Sequence, residues 1–91
     1  LAKIGSVNYL ALTGRFSGAP DMATDMLVVG TLNRQLVKNL VARFEKRYGR
    51  EILYTVMTPK EFYYRKGITD KFLYEILEGQ KMVLVNTLGI T

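Results

Sequence analysis

A chain of 91 residues provides one small domain, which can fold without disulfides but with a modest stability margin. The sequence contains neither cysteine nor histidine, which excludes thiolate and imidazole metal sites and every catalytic mechanism that uses those side chains. Thirteen Lys and Arg residues against eight Asp and Glu give a net charge of +5, but the basic residues are spread along the whole chain, as on an ordinary solvated surface.

The first third of the chain predicts two strands joined by a loop. Residues 7–13 form a near-continuous apolar run that is typical of a buried central strand, and Gly14 ends it. Residues 15–23 contain glycine, proline and aspartate and form a loop by composition. The second strand is predicted over 24–29 and ends at Gly30.

The middle of the chain predicts a long helix followed by a strand. Residues 33–48 place apolar side chains at three-and-four spacing on one face and basic or polar ones on the other. Asn33 is a favourable N-cap, and Gly49 suits the left-handed position just past the helix end. Branched and aromatic residues over 51–57 predict the third strand.

The last third predicts two helices and a final strand. Residues 58–61 have the pattern of a capping box, with proline at the first helical position, and this short helix ends over 65–67. The last helix begins at 69–70 and stops at Gly79, and residues 81–86 form a fourth strand. The complete order predicts an α+β fold of two layers, with a mixed sheet of about four strands and helices packed on it.

The loop after the first strand is the predicted place for ligand chemistry. Gly14 and Gly18 allow sharp turns and a close backbone approach to a ligand. Asp25, at the head of the second strand, adds a carboxylate at the same end of the sheet. Arg15 offers a charge that pairs with a phosphate or only lines a solvated loop. Together these residues outline a nucleotide site from which parts are missing.

Residues 14–18, followed by 24–29, resemble the nucleotidyltransferase signature of the DNA polymerase beta superfamily. In that superfamily a Gly-Ser loop holds the triphosphate, and a strand with an Asp-x-Asp motif binds the metal ions. The resemblance implies that Asp25 stands at a catalytic, metal-binding position. It also implies a phosphate-binding loop made of Gly14, Arg15, Ser17 and Gly18.

Residues 48–58 and several positions from 61 to 84 are similar to one branch of that superfamily. Its members are small domains that are often attached to a winged-helix DNA-binding domain in prokaryotic transcriptional regulators. The resemblance covers residues 7–87 and implies a homodimeric regulator that binds DNA through a winged-helix domain lying outside this sequence. The first residue, Leu1, is not methionine, so we treat 1–91 as one domain of what we expect to be a longer chain.

Two departures from the signature argue against transferase activity. The first aspartate of Asp-x-Asp falls on Ala23, and the serine beside the first glycine falls on Arg15. Two-metal phosphoryl transfer needs several carboxylates around ions about 4 Å apart, and one well-placed aspartate is too few. Asp25 then has a structural alternative, in which it accepts hydrogen bonds from loop amides near Gly18 or caps the turn before the strand.

The sequence therefore predicts a degenerate, non-catalytic nucleotidyltransferase-like domain that serves a regulator as a sensing or dimerisation module. The enzymatic alternative is an active transferase of a nucleoside monophosphate, which uses a nucleoside triphosphate and Mg²⁺ held by Asp21 and Asp25, with Glu51 as a third candidate ligand. A further alternative is nucleic-acid binding through the basic face of 33–48. No apolar run approaches the about 20 residues of a membrane helix and no export leader is visible, so we expect a cytoplasmic protein.

Overall fold

The computed structural model of this protein describes residues 5–18 and 24–89. In chain order its elements are β1 (Gly5–Leu12), a 3₁₀ turn (Gly14–Ser17), β2 (Met26–Leu32), α1 (Arg34–Tyr48), β3 (Tyr54–Met57), α2 (Pro59–Gly67), α3 (Lys71–Glu78) and β4 (Met82–Asn86). This order and the α+β class confirm the prediction. None of the helices in these residues is long and apolar enough to span a lipid bilayer.

The described strands form one mixed sheet in the order β3-β2-β1-β4. The β2–β3 pair is parallel, whereas β1 pairs antiparallel with both β2 and β4. Parallel neighbours need a crossover connection, and α1 supplies it between β2 and β3. Because β1 has a neighbour on each side, it is an interior strand, as its apolar run predicts.

The helix ends follow local signals in the sequence. Asn33 caps α1, where its side-chain oxygen accepts from the Leu36 amide at 3.1 Å, and Gly49 ends the helix with a φ of 71°. Thr58 caps α2 by accepting from the Glu61 amide at 3.0 Å. Asp70 caps α3 in the same way. The caps at Asn33, Gly49 and Thr58 were predicted, and for α3 the start at 69–70 was predicted.

The structure corrects several predicted boundaries: β1 spans Gly5–Leu12 rather than 7–13, and β2 begins at Met26 rather than at residue 24. The strand β2 does not end at Gly30 but continues to Leu32, because Gly30 pairs with Val7 so closely that a side chain would meet the Ser6 carbonyl. The strand β3 begins at Tyr54 rather than at residue 51, because the preceding residues bond to the start of β2. The segment after β1 opens as a 3₁₀ turn instead of an irregular loop.

Helices lie on both faces of the sheet. One core lies between the sheet and the pair α2 and α3, and its largest buried members are Tyr9, Leu27, Met57, Phe62, Leu73 and Ile76. A smaller core lies on the opposite face under α1, around Val37, Val41 and Ile52. The fold therefore has three layers, with the sheet between helices, instead of the two predicted. The interior strands are apolar on both faces, so their sequences do not indicate which face a helix covers.

Candidate functional site

Three chain segments meet at one end of the sheet and create the candidate site. The Thr13 amide, just after β1, donates to the Asp25 carbonyl at 2.8 Å. The Asp25 amide in turn donates to the Leu53 carbonyl, just before β3, at 2.7 Å. The turn that follows β1 and the carboxylate before β2 therefore lie together at the same end of the sheet, as the sequence predicts.

Asp25 occupies a structural position in this junction. Its residue is only 5% exposed, and its Oδ2 accepts a hydrogen bond from the Leu53 amide at 3.0 Å. The amide comes from the segment before β3, which the sequence did not predict as a partner. A hydrogen bond to a charged group is worth about 1.5–3 kcal/mol, so the carboxylate helps to hold the approach to β3 against β2.

The two glycines of the loop have different surroundings. Gly14 has a φ of 54°, and a Cβ placed on it would lie 2.5 Å from Asp25 Oδ1 and 2.7 Å from the Thr24 carbonyl oxygen. Gly18 has a φ of 80°, and a Cβ on it would meet no described atom within 4 Å. Gly14 therefore makes room for Asp25 and Thr24, whereas a side chain at Gly18 would collide with none of the described atoms.

Buried threonines fix the ends of the loop, a feature that the sequence interpretation did not assign. Thr13 and Thr24 are 0% and 1% exposed, and the Thr13 hydroxyl donates to the Thr24 carbonyl at 2.6 Å. The Thr55 hydroxyl lies 3.0 Å from the Thr24 hydroxyl. The sequence feature that could have indicated this role is the position of Thr13 and Thr24, each next to the loop at the end of an apolar strand. The network joins β1, β2 and β3, so the 3₁₀ turn projects from a fixed base.

The remaining predicted site residues are placed only in part. Arg15 and Ser17 contribute backbone to the 3₁₀ turn, which Gly18 closes by donating its amide to the Gly14 carbonyl. Asp21 lies outside the described residues. Glu51 is exposed, unlike the buried Asp25. Within the described ranges no three acidic side chains group together to hold a metal ion.

An apolar cleft of about 360 Å³ opens beside the turn, between α1 and the sheet. Its walls include Leu12 and Phe16 from the first strand and turn, Phe44 and Tyr48 from α1, and Leu84 from β4. The Arg50 guanidinium carbon lies 5.6 Å from the centre of the Phe16 ring, within cation–π range. The cleft suits apolar groups and links the loop to the far edge of the sheet.

The outer face of α1 is basic and exposed. It carries Arg34, Lys38, Arg43, Lys46 and Arg47. Lys46 and Arg47 lie in the last turn, where a positive charge is favoured by the helix dipole. Part of this charge therefore has a structural explanation that needs no ligand.

Comparisons with protein-family models, with curated proteins and with solved structures found no match to this chain. A functional interpretation accordingly depends on the residues themselves. The central ones are the buried Asp25 and the two glycines of the turn, Gly14 and Gly18.

Proposed function

We propose that this chain is a non-catalytic nucleotidyltransferase-like domain that serves a transcriptional regulator as a sensing or dimerisation module. The observation that carries the proposal is the placement of Asp25. The resemblance assigns this residue to metal binding, but its carboxylate is buried and accepts from the Leu53 amide. A carboxylate used to join two segments is less available to a metal ion than an exposed one, because each lone pair bonded to an amide is lost to coordination.

The local charge supports the same conclusion. Two divalent ions side by side need several carboxylates to balance their charge. Ala23 provides none at the position of the first aspartate, and the described acidic residues form no group of three around Asp25. The alternative of an active transferase therefore requires Asp21 and Glu51 to converge on the buried Asp25.

A binding role remains compatible with the loop. The turn 14–18 stands on a fixed base, and the sequence places the basic residue Arg15 within it. None of the described atoms crowds the backbone at Gly18. We therefore expect a phosphate-bearing ligand such as a nucleotide to be bound at this turn and released unchanged.

The experiment measures pyrophosphate release from each nucleoside triphosphate, with Mg²⁺ or Mn²⁺ and with the chain itself or RNA as the acceptor. Asp25→Asn keeps an oxygen that can accept from the Leu53 amide and removes the charge. Asp70→Asn removes one carboxylate at a helix cap and is the matched control. We expect background release from all three proteins. Release and acceptor labelling that Asp25→Asn abolishes and Asp70→Asn retains would overturn the proposal.

Direct nucleic-acid binding through the outer face of α1 is the second candidate, and the exposure of its five basic residues favours it. Contacts to phosphates release counterions, so affinity for a labelled duplex would fall by orders of magnitude between about 50 and 200 mM salt. Fluorescence anisotropy measures this dependence. A flat response dismisses this candidate and leaves the first proposal untouched.

A further inference from the structure

The apolar cleft between α1 and the sheet has the size of a small-molecule site. Its volume of about 360 Å³ falls within the about 300–1,000 Å³ that is typical of ligand pockets. The sheet contributes Leu10 and Val28 to its lining, α1 contributes Leu40 and Phe44, and the 3₁₀ turn contributes Phe16. Three parts of the fold therefore form one concave site.

The lining of the cleft favours a ligand with an apolar body. Among the described residues that line it, only Tyr48 has a side-chain hydroxyl, and none is charged. A sugar or a nucleobase in this place would leave most of its hydrogen-bonding groups without partners, which is costly. An alkyl or aryl group has no such groups to satisfy. It would also remove part of the exposed Phe44 and Tyr48 surface from water.

A guanidinium group lies where the cleft meets the turn. Arg50 stands in the chain between Tyr48 and Ile52, which both line the cleft. Its guanidinium carbon is 5.6 Å from the centre of the Phe16 ring, and no described carboxylate forms an ion pair with it. The carboxylate of Glu45 accepts from the Ile52 amide instead. Because a guanidinium that stacks on a ring keeps N–H donors at its edge, Arg50 can bind an anionic group at this end of the cleft.

We propose that the cleft binds a small molecule with an apolar body and a terminal carboxylate, which lies beside Arg50. A carboxylate matches the fork geometry and the single charge of one guanidinium. Lys46 and Arg47 in the last turn of α1 add positive charge, which offsets the partial negative charge of that helix end. This site goes beyond the proposed function, since it needs neither a nucleotide nor a divalent ion.

A series of n-alkyl carboxylates tests the apolar part of the site. Isothermal titration calorimetry near neutral pH measures the dissociation constants of hexanoate and octanoate. Each methylene group that enters the cleft should tighten binding about fourfold, so octanoate should bind about sixteenfold more tightly than hexanoate. Amide chemical shifts should change at the residues that line the cleft. An affinity that does not depend on chain length, or shifts confined to the face under α2 and α3, would refute the proposal.

A comparison of head groups tests the role of Arg50. Octanoate should bind more tightly than octan-1-ol, and octylammonium should bind more weakly than either. Arg50→Gln should weaken octanoate binding about threefold, as expected for an exposed ion pair, and should leave octan-1-ol binding unchanged. Lys60→Gln removes one positive charge from α2, on the other face of the sheet, and as the matched control should bind octanoate like the wild type. If Arg50→Gln binds octanoate as tightly as the wild type, the assignment of the carboxylate is wrong.

A charge placed in the wall of the cleft tests its position. Phe44→Glu should weaken octanoate binding at least about tenfold, because two carboxylates would then share the cleft. Tyr64→Glu, at an exposed aromatic residue of α2, is the matched control and should bind octanoate normally. Circular dichroism checks the fold of each variant. If Phe44→Glu misfolds, Leu84→Glu decides, since Leu84 is 54% exposed and lines the same cleft from β4. Unchanged octanoate binding in the folded variant would contradict the site.

A different occupant would give a different result. If a second copy of the chain fills the cleft, the mass in sedimentation equilibrium should rise above 10.4 kDa with protein concentration, and octanoate should not bind. That result refutes the proposal, as does a monomer that binds none of the probes. The samples contain neither nucleotide nor divalent ion, so the outcome is independent of the test for transferase activity.

Discussion

The two faces of the sheet are filled to different degrees. On the face under α2 and α3, Phe62, Leu73 and Met57 are completely buried. On the face under α1, Val37 and Val41 are buried, but Phe44 and Tyr48 on the same helix are 39% and 60% exposed beside the apolar cleft. The first face is a packed core, whereas the second is a core that is left partly open.

The packed face therefore contributes most of the stability of the fold, whereas the open face is available for binding. Close-packed side chains resist change because any vacancy loses contacts that the surroundings cannot replace. Exposed apolar surface contributes little to the monomer and is available to a partner. The loop 14–18 and β4 both border the open face, through Phe16 and Leu84 respectively. We therefore expect binding to concentrate on this face.

The largest effect is expected from truncating a side chain in the packed core. Phe62→Ala should lower the free energy of unfolding by about 3–5 kcal/mol, because it leaves a cavity among rigid neighbours. Phe44→Ala, the matched change on the open face, should cost about 1 kcal/mol or less, since much of its ring is already in water. Urea denaturation measures both. Equal losses would show that the two faces are equally packed.

The loop glycines show the same contrast between a filled and an open position. Gly14→Ala should cost at least about 2 kcal/mol, because it adds left-handed strain and drives a methyl group into Asp25 and the Thr24 carbonyl. Gly18→Ala adds the strain without the collision and should cost about 1 kcal/mol. Thermal unfolding compares the two. A smaller loss for Gly14→Ala than for Gly18→Ala would contradict the crowding at Gly14.

Local signals made the helices predictable from the sequence. The caps at Asn33, Thr58 and Asp70 each act within three residues, so reading neighbouring residues was sufficient. The periodicity of α1 likewise predicted its buried Val37 and Val41. The periodicity did not predict that Phe44 stays 39% exposed, because its burial depends on which strands α1 covers.

The failures depend on contacts between distant residues. Gly30 looked like the end of a strand, but its pairing with Val7 makes it an interior position. One partner of the Asp25 carboxylate is the Leu53 amide, 28 residues away, and no local pattern in the sequence predicts this contact. The sequence also did not show that Gly14 must lack a side chain to make room for Asp25, because the two residues come together only in the folded sheet. The sequence thus predicted that the loop and Asp25 lie at one end of the sheet and that Asp25 could have a structural role, whereas it did not predict the Leu53 amide as a partner.

The smallest expected effect concerns a defect in the packed face itself. Tyr9 is completely buried beside Phe62, and its hydroxyl has no hydrogen-bond partner among the described atoms. An unsatisfied buried polar group costs about 1–3 kcal/mol. Tyr9→Phe removes the hydroxyl and keeps the ring, so the free energy of unfolding at pH 7 should rise by about 1 kcal/mol in urea denaturation. A loss of similar size would show that the hydroxyl is bonded.

The dependence on pH gives this prediction a second readout. Burial raises the pKa of Tyr9 in the folded chain above the ordinary value of about 10. Between the two pKa values the unfolded chain has lost the phenol proton and the folded chain keeps it, so stability falls as pH rises from about 10 towards the folded pKa. Tyr9→Phe has no such group. Its advantage over the wild type should therefore grow between pH 7 and about pH 11, while lysines and the other tyrosines titrate in both proteins and cancel in the difference. A constant difference across this range would mean that Tyr9 ionises as freely in the folded state as in the unfolded one, and the packed face would then admit water at its centre.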